Sequence, residues 1–171
     1  PPPPPHVAVQ VRNRLWRLEA SKLNGESNAP ARVVECMGRW VPNSTAAVFF
    51  TADDDSLYPA ADHHFGARLR TFEGSVYAPW SMGGKVDTAS LGEKEELAVI
   101  KAIVDWFALQ SASLLVYTFG SSFGKTAAEA SDAPNVDVNH TRCRNDEMLG
   151  GNHTVPSATY VTYDTRRVPG A

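Results

Sequence analysis

The stretch LLVYTFGSSFGKTAAE, Leu114 to Glu129, passes from an apolar run through a Gly-Ser-Ser-Phe-Gly turn into alanine-rich chain. A continuous apolar run with branched and aromatic members reads as a strand buried on both faces. The alanine-rich part favours helix, and Ser121 or Ser122 stands where a helix N-cap belongs. The order is strand, small-residue turn, helix, and the rest of the chain repeats it. HVAVQVR, His6 to Arg12, is a strand of β-branched residues. ARVVECMGRW reads as a helix or a helix end. AAVFF, Ala46 to Phe50, is a buried strand that runs into Asp53-Asp54-Asp55. SLYPAADHHFGARL follows as a helix with Ser56 as its N-cap, Pro59 in its first turn and Gly66 as its stop.

A short strand and a Gly-rich loop are expected between Arg68 and Gly84. The longest helix is expected from Ser90 to about Ser111. There Leu97, Ile100, Lys101, Val104, Phe107 and Ala108 recur at helical spacing, and Glu93, Glu95 and Glu96 favour the positive N-terminal end. Strands alternating with helices predict an α/β fold, a Rossmann-like parallel sheet with helices on both faces. The division expected is a polyproline spacer over residues 1–5, a lobe over 6–131 and a loop-rich tail over 132–171. SATYVTYD is the tail's one strand candidate. PPPPPH at the start is not a signal peptide, and the chain is expected to be cut from something longer.

Ligands of such sheets sit beyond the carboxyl ends of the strands. Arg12, the Asp53–Asp55 triplet and Gly120-Ser121-Ser122 all fall at such ends. Arg12 offers a planar fork to a phosphate, or else pairs with a structural carboxylate. The triplet accepts hydrogen bonds from a base or sugar, or binds a divalent metal, or its Asp54 or Asp55 caps the next helix. The serine turn presents N–H groups and the positive end of a helix dipole to an anion, or else only caps. It lacks the glycine spacing of a Walker or dinucleotide loop. Asp105, inside an apolar helix, needs a partner, and Arg12 is one candidate.

Composition narrows the classes. Across 171 residues, 43% are hydrophobic and 20% charged, so the chain can bury a core. A net charge of −3, with its cations scattered, argues against nucleic acid as partner. No apolar run reaches the ~18 residues needed to span a bilayer. Cys36 and Cys143 either pair or stay as two buried thiols. Three sequons begin at Asn43, Asn139 and Asn152, where chance supplies roughly one, which leans toward the secretory pathway.

VAVQVR, AVFFTADDDSLYPAADHHFG and AIVDWFALQSASLLVYTFGSSFGKTAAEA, in that order, resemble the donor-binding lobe of the GDP-fucose-dependent fucosyltransferases, the α-1,6 type in particular. The resemblance covers roughly Val7 to Ser131. It implies the C-terminal lobe of a two-lobed, GT-B-like glycosyltransferase that transfers fucose with inversion to a glycan or glycoprotein. It implies no metal or other cofactor. It places the enzyme in the Golgi lumen, with a membrane contact only through an N-terminal anchor beyond this chain. By the same resemblance, Glu19 is the catalytic base and Arg12 grips the β-phosphate. Asp53, with Asp54 beside it, contacts guanine. Ser121, Ser122 and Phe123 form the turn at the diphosphate, and Asp105 is a structural partner. The family's strand histidine is Gln10 here, which still hydrogen-bonds a base or ribose, and its second arginine is Asn13. Those departures keep a second function open, a non-catalytic nucleotide-sugar or glycan-binding module that retains the fold. A generic α/β phosphate-binding domain is the third.

Overall fold

In the computed structural model the described residues are 6–16, 29–72, 92–139 and 143. They form one five-stranded sheet. The strands are β1 (Val7–Val11), β2 (Val48–Ala52), β3 (Leu69–Arg70), β4 (Leu114–Thr118) and β5 (Asn135–Val138). They lie in the order β3-β2-β1-β4-β5, and neighbouring strands run parallel. Val7 sits opposite Val48 on one side and Leu114 on the other, so the centre of the sheet is in register. The fold is α/β and Rossmann-like, as the alternation of strand and helix predicts.

Side-chain alternation explains why both faces are covered. On β1, Val7, Val9 and Val11 join Val48, Phe50 and Ala52 on one face. Helices α1 (Pro30–Gly38) and α2 (Tyr58–Phe65) bury Val33, Val34, Met37, Ala61 and Phe65 against that face. Ala8, Phe49 and Leu115 point the other way, toward Leu109 of α3 (Glu93–Gln110) and Ala127 and Ala128 of α4 (Ser122–Glu129). Both faces need cover because all five residues of β1 and all five of β2 are buried.

Helix ends follow local chemistry. Pro59 lies in the first turn of α2, and Gly66, at φ 53°, closes it in a conformation other residues rarely adopt. Ser56 is not the cap before this helix. The helix has Leu57 at its N-cap with no side-chain cap, and the carboxylate that caps here is Asp54, which accepts from the Ser56 N–H at 2.9 Å and opens a short 3₁₀ turn over Asp55–Leu57 ahead of the helix. A carboxylate two residues nearer the strand reaches the first free N–H groups better than the serine does.

Two further results differ from the sequence reading. The sheet does not stop at 131, because Asn135–Val138 pairs with Leu115–Thr118 and adds an edge strand from the segment read as tail. On α3 the apolar stripe faces outward. Leu97, Ile100, Ile103 and Phe107 are each more than half exposed, while Ala98, Lys101, Asp105 and Leu109 make the inner face. Beside this stripe lies an open groove of about 850 Å³. Phe49, Phe72, Val104 and Phe107 line it, with His6 at the amino ends of the strands. Cys36 of α1 and Cys143 form a disulfide. Among the described residues no helix is long and apolar enough to cross a membrane. The Gly-rich loop, SATYVTYD and the polyproline start lie outside the described residues.

Candidate anion-binding rim

In this strand order the chain leaves β1 toward one edge of the sheet and β4 toward the other. A crevice therefore opens between their carboxyl ends, the place where ligands of open α/β sheets bind. Arg12 stands at the end of β1 and Gly120-Ser121-Ser122 follows β4 across that crevice. The Arg12 backbone N–H donates to Thr118 Oγ1 at 2.9 Å, tying the two ends together. Backbone from Asn13 to Trp16 is helical. The N–H groups of this turn are spent on Asp53 and on the Arg12 carbonyl, so among the described residues the crevice's N-terminal N–H groups come from α4.

Arg12 pairs with Asp53 across the rim, Nε to Oδ2 at 3.2 Å. The Asn13 N–H donates to Asp53 Oδ1 at 2.6 Å, and Asn13 Nδ2 donates to Asp54 Oδ2 at 2.5 Å. The ends of β1 and β2 are thereby stitched together. Arg12 is spent on this stitch only through Nε, and its terminal nitrogens have no partner among the described residues. Asp53 is held above its usual pKa because burial outweighs the Asn13 N–H, the Arg12 charge and its other backbone contacts. A cation at 3.2 Å does not overcome the loss of water, so Asp53 is an ion pair under tension between two influences.

The turn after β4 resolves into distinct roles. Gly120 takes φ 78°, a conformation that favours glycine. Ser121 is buried, and its hydroxyl accepts from the Gly124 N–H at 3.3 Å, so it caps α4. Ser122 is exposed at the first helical position. Phe123 packs on the inner cluster of α3 and α4. Gly124 has its own reason: a Cβ there would come within 2.6 Å of Tyr117 and 2.8 Å of Gln10 Oε1. Gln10 thus sits beneath the first turn of α4, buried, with Oε1 unpartnered.

Asp105 does not pair with Arg12. Its Oδ2 accepts from Lys101 Nζ at 2.6 Å and from Thr51 Oγ1 at 2.6 Å, below the Asp53 end of β2. Lys101 also lies 5.9 Å from the ring of Tyr58, whose hydroxyl meets the Ala52 N–H. Sequence reasoning placed Lys101 on an apolar helix face and missed it here. The available signal was its spacing of four from Asp105, which puts the two on one face. Asp105 Oδ1 is buried and unpartnered, as is Asn13 Oδ1. Glu19 lies outside the described residues. Among the described residues no cluster of three His, Cys, Asp or Glu could hold a metal ion.

No protein-family model matches the chain, and no curated protein matches it in sequence. Among solved structures, NodZ α-1,6-fucosyltransferase co-crystallised with GDP is similar over 79% of this chain, at 13% identity and a TM-score of 0.47. The chain spans 38% of that structure's length.

Proposed function

We propose that the rim binds the diphosphate of a nucleotide sugar and that the chain is the donor-binding lobe of a glycosyltransferase, with GDP-fucose as donor. The observation that carries this reading is Arg12. Its guanidinium is fixed by Asp53 through one nitrogen and leaves the others for an anion, at the one crevice the sheet topology opens. The Ser122 hydroxyl and the first N–H groups of α4 stand across the crevice as further donors. Asp53 has both oxygens engaged, one by the Asn13 N–H and one by Arg12, so the base contact expected of it competes with this stitch.

In the reaction, an acceptor hydroxyl of a glycan or glycoprotein attacks the anomeric carbon from the face opposite the diphosphate. Glu19 takes its proton. Arg12 and the turn amides stabilise charge growing on the departing diphosphate, the electrostatic contribution that is usually largest. No metal or other cofactor enters this mechanism. The Cys36–Cys143 disulfide and the exposed Asn43 sequon favour a secretory-pathway setting, the Golgi lumen for such an enzyme. A second reading, a binding module without turnover, is favoured by Asn13. It stands where the resembling family has a second arginine, and its side chain is spent on Asp54.

Thermal-shift titration separates these. Stabilisation by GDP, with none by ATP or NAD, is the expected result, and no response to any GDP compound would refute both readings. Hydrolysis or transfer from GDP-fucose then divides enzyme from module.

A further inference from the structure

We propose that Asn43 carries an N-linked glycan and that Asn139, in the same Asn-X-Thr motif, does not. Asn43-Ser44-Thr45 lies between α1 and β2. The Thr45 N–H donates to the Pro42 carbonyl at 3.0 Å, which closes a β-turn with Asn43 and Ser44 at its corners. Both corner residues are exposed. The turn is closed by backbone atoms alone, and the Asn43 side chain makes no hydrogen bond among the described residues. Its Nδ2 is open to a transferase, and a bulky glycan attached there displaces no packed group. In that step Nδ2 bonds to the anomeric carbon of a lipid-linked oligosaccharide. The carbon–oxygen bond to the lipid diphosphate breaks, and the amide gives up a proton.

Asn139 directly follows β5 and is half-buried. Its carbonyl accepts from the Cys143 N–H at 3.3 Å, and Cys143 is bonded to Cys36 of α1. A glycan at Asn139 would crowd the turn that brings the buried Cys143 to its partner. The two motifs match in sequence and differ in their place in the fold. Asn43 precedes the amino end of β2, and Asp53 follows its carboxyl end, a strand of five residues or about 17 Å away. A glycan on Asn43 therefore leaves the anion-binding rim open, whereas Asn139 follows a strand at the rim's end of the sheet. The modification requires a secretory setting, which the Cys36–Cys143 disulfide favours. It does not require the rim to bind a nucleotide.

The test passes the full chain through the secretory pathway of a eukaryotic cell behind a cleavable signal peptide. Folded product with the disulfide closed is treated with peptide-N-glycosidase, which turns each glycan-bearing Asn into Asp. Peptide mass spectrometry then reads each motif. Conversion is expected at position 43 in most molecules and at position 139 in few. Asn43→Gln and Thr45→Ala should each remove the glycan from this turn. Thr45→Ser should keep it, since the motif needs a hydroxyl two residues on. An unconverted Asn43 in the folded product overturns the proposal, and so does conversion at position 139 equal to that at position 43. The motif at Asn152 lies outside the described residues and bears on neither outcome.

Discussion

Arg12 is a quarter exposed and belongs to no core cluster, so its removal should spare the fold. Arg12→Ala is expected to weaken GDP binding by roughly ten- to hundredfold, read by calorimetry beside an unchanged melting curve. Unchanged affinity would take Arg12 out of the site. Asp53 gives a prediction with a sign. Its pKa is raised in the folded state, so the folded chain holds a proton that the unfolded chain has already released. Stability from this group is full below the ordinary aspartate value and is lost as pH rises through the raised one. Urea denaturation should show stability falling across that window in the wild type, and a flatter profile in Asp53→Asn. The positions of Arg12, Asp53 and Ser121 at strand ends were readable from the chain, because each follows a run too apolar to be anything but strand. Their partners were not, since which carboxylate meets which cation depends on distances between elements far apart in sequence.

At the scale of elements, β1, β2 and β4 were legible because continuous apolar runs of that length fit a doubly covered sheet. β5 was not: Asn135 and Asp137 alternate with its two valines, and only the free edge of β4 makes a strand of it. The helix α3 shows the limit of periodicity. A helical stripe reports that a face is apolar and is silent on where that face points. Leu97, Ile100, Val104 and Phe107 lie outward, and the inner face is built around Lys101 and Asp105. Phe107→Ser should therefore change stability by no more than about 0.5 kcal/mol, whereas Leu109→Ala, from a fully buried position, should cost about 2–5 kcal/mol. Equal effects in chemical denaturation would show that the exposed stripe is covered in solution.

Across the whole molecule, the disulfide joins α1 to Cys143, just beyond β5, at a sequence separation of 107. Cys36 and Cys143 replaced together by serine should lose about 2–5 kcal/mol of stability. Guanidinium unfolding checks this, and a loss below that range would mean the sheet is closed without the bond. The pairing was undecided in the sequence because two cysteines alone carry no geometry. The bond also has a place in time. A ribosome adds about 5–20 residues per second, so Cys36 waits on the order of 5–20 s before its partner has been made. β4 and β5 are both synthesised within that wait. The bond therefore cannot form before every described strand of the sheet has been made.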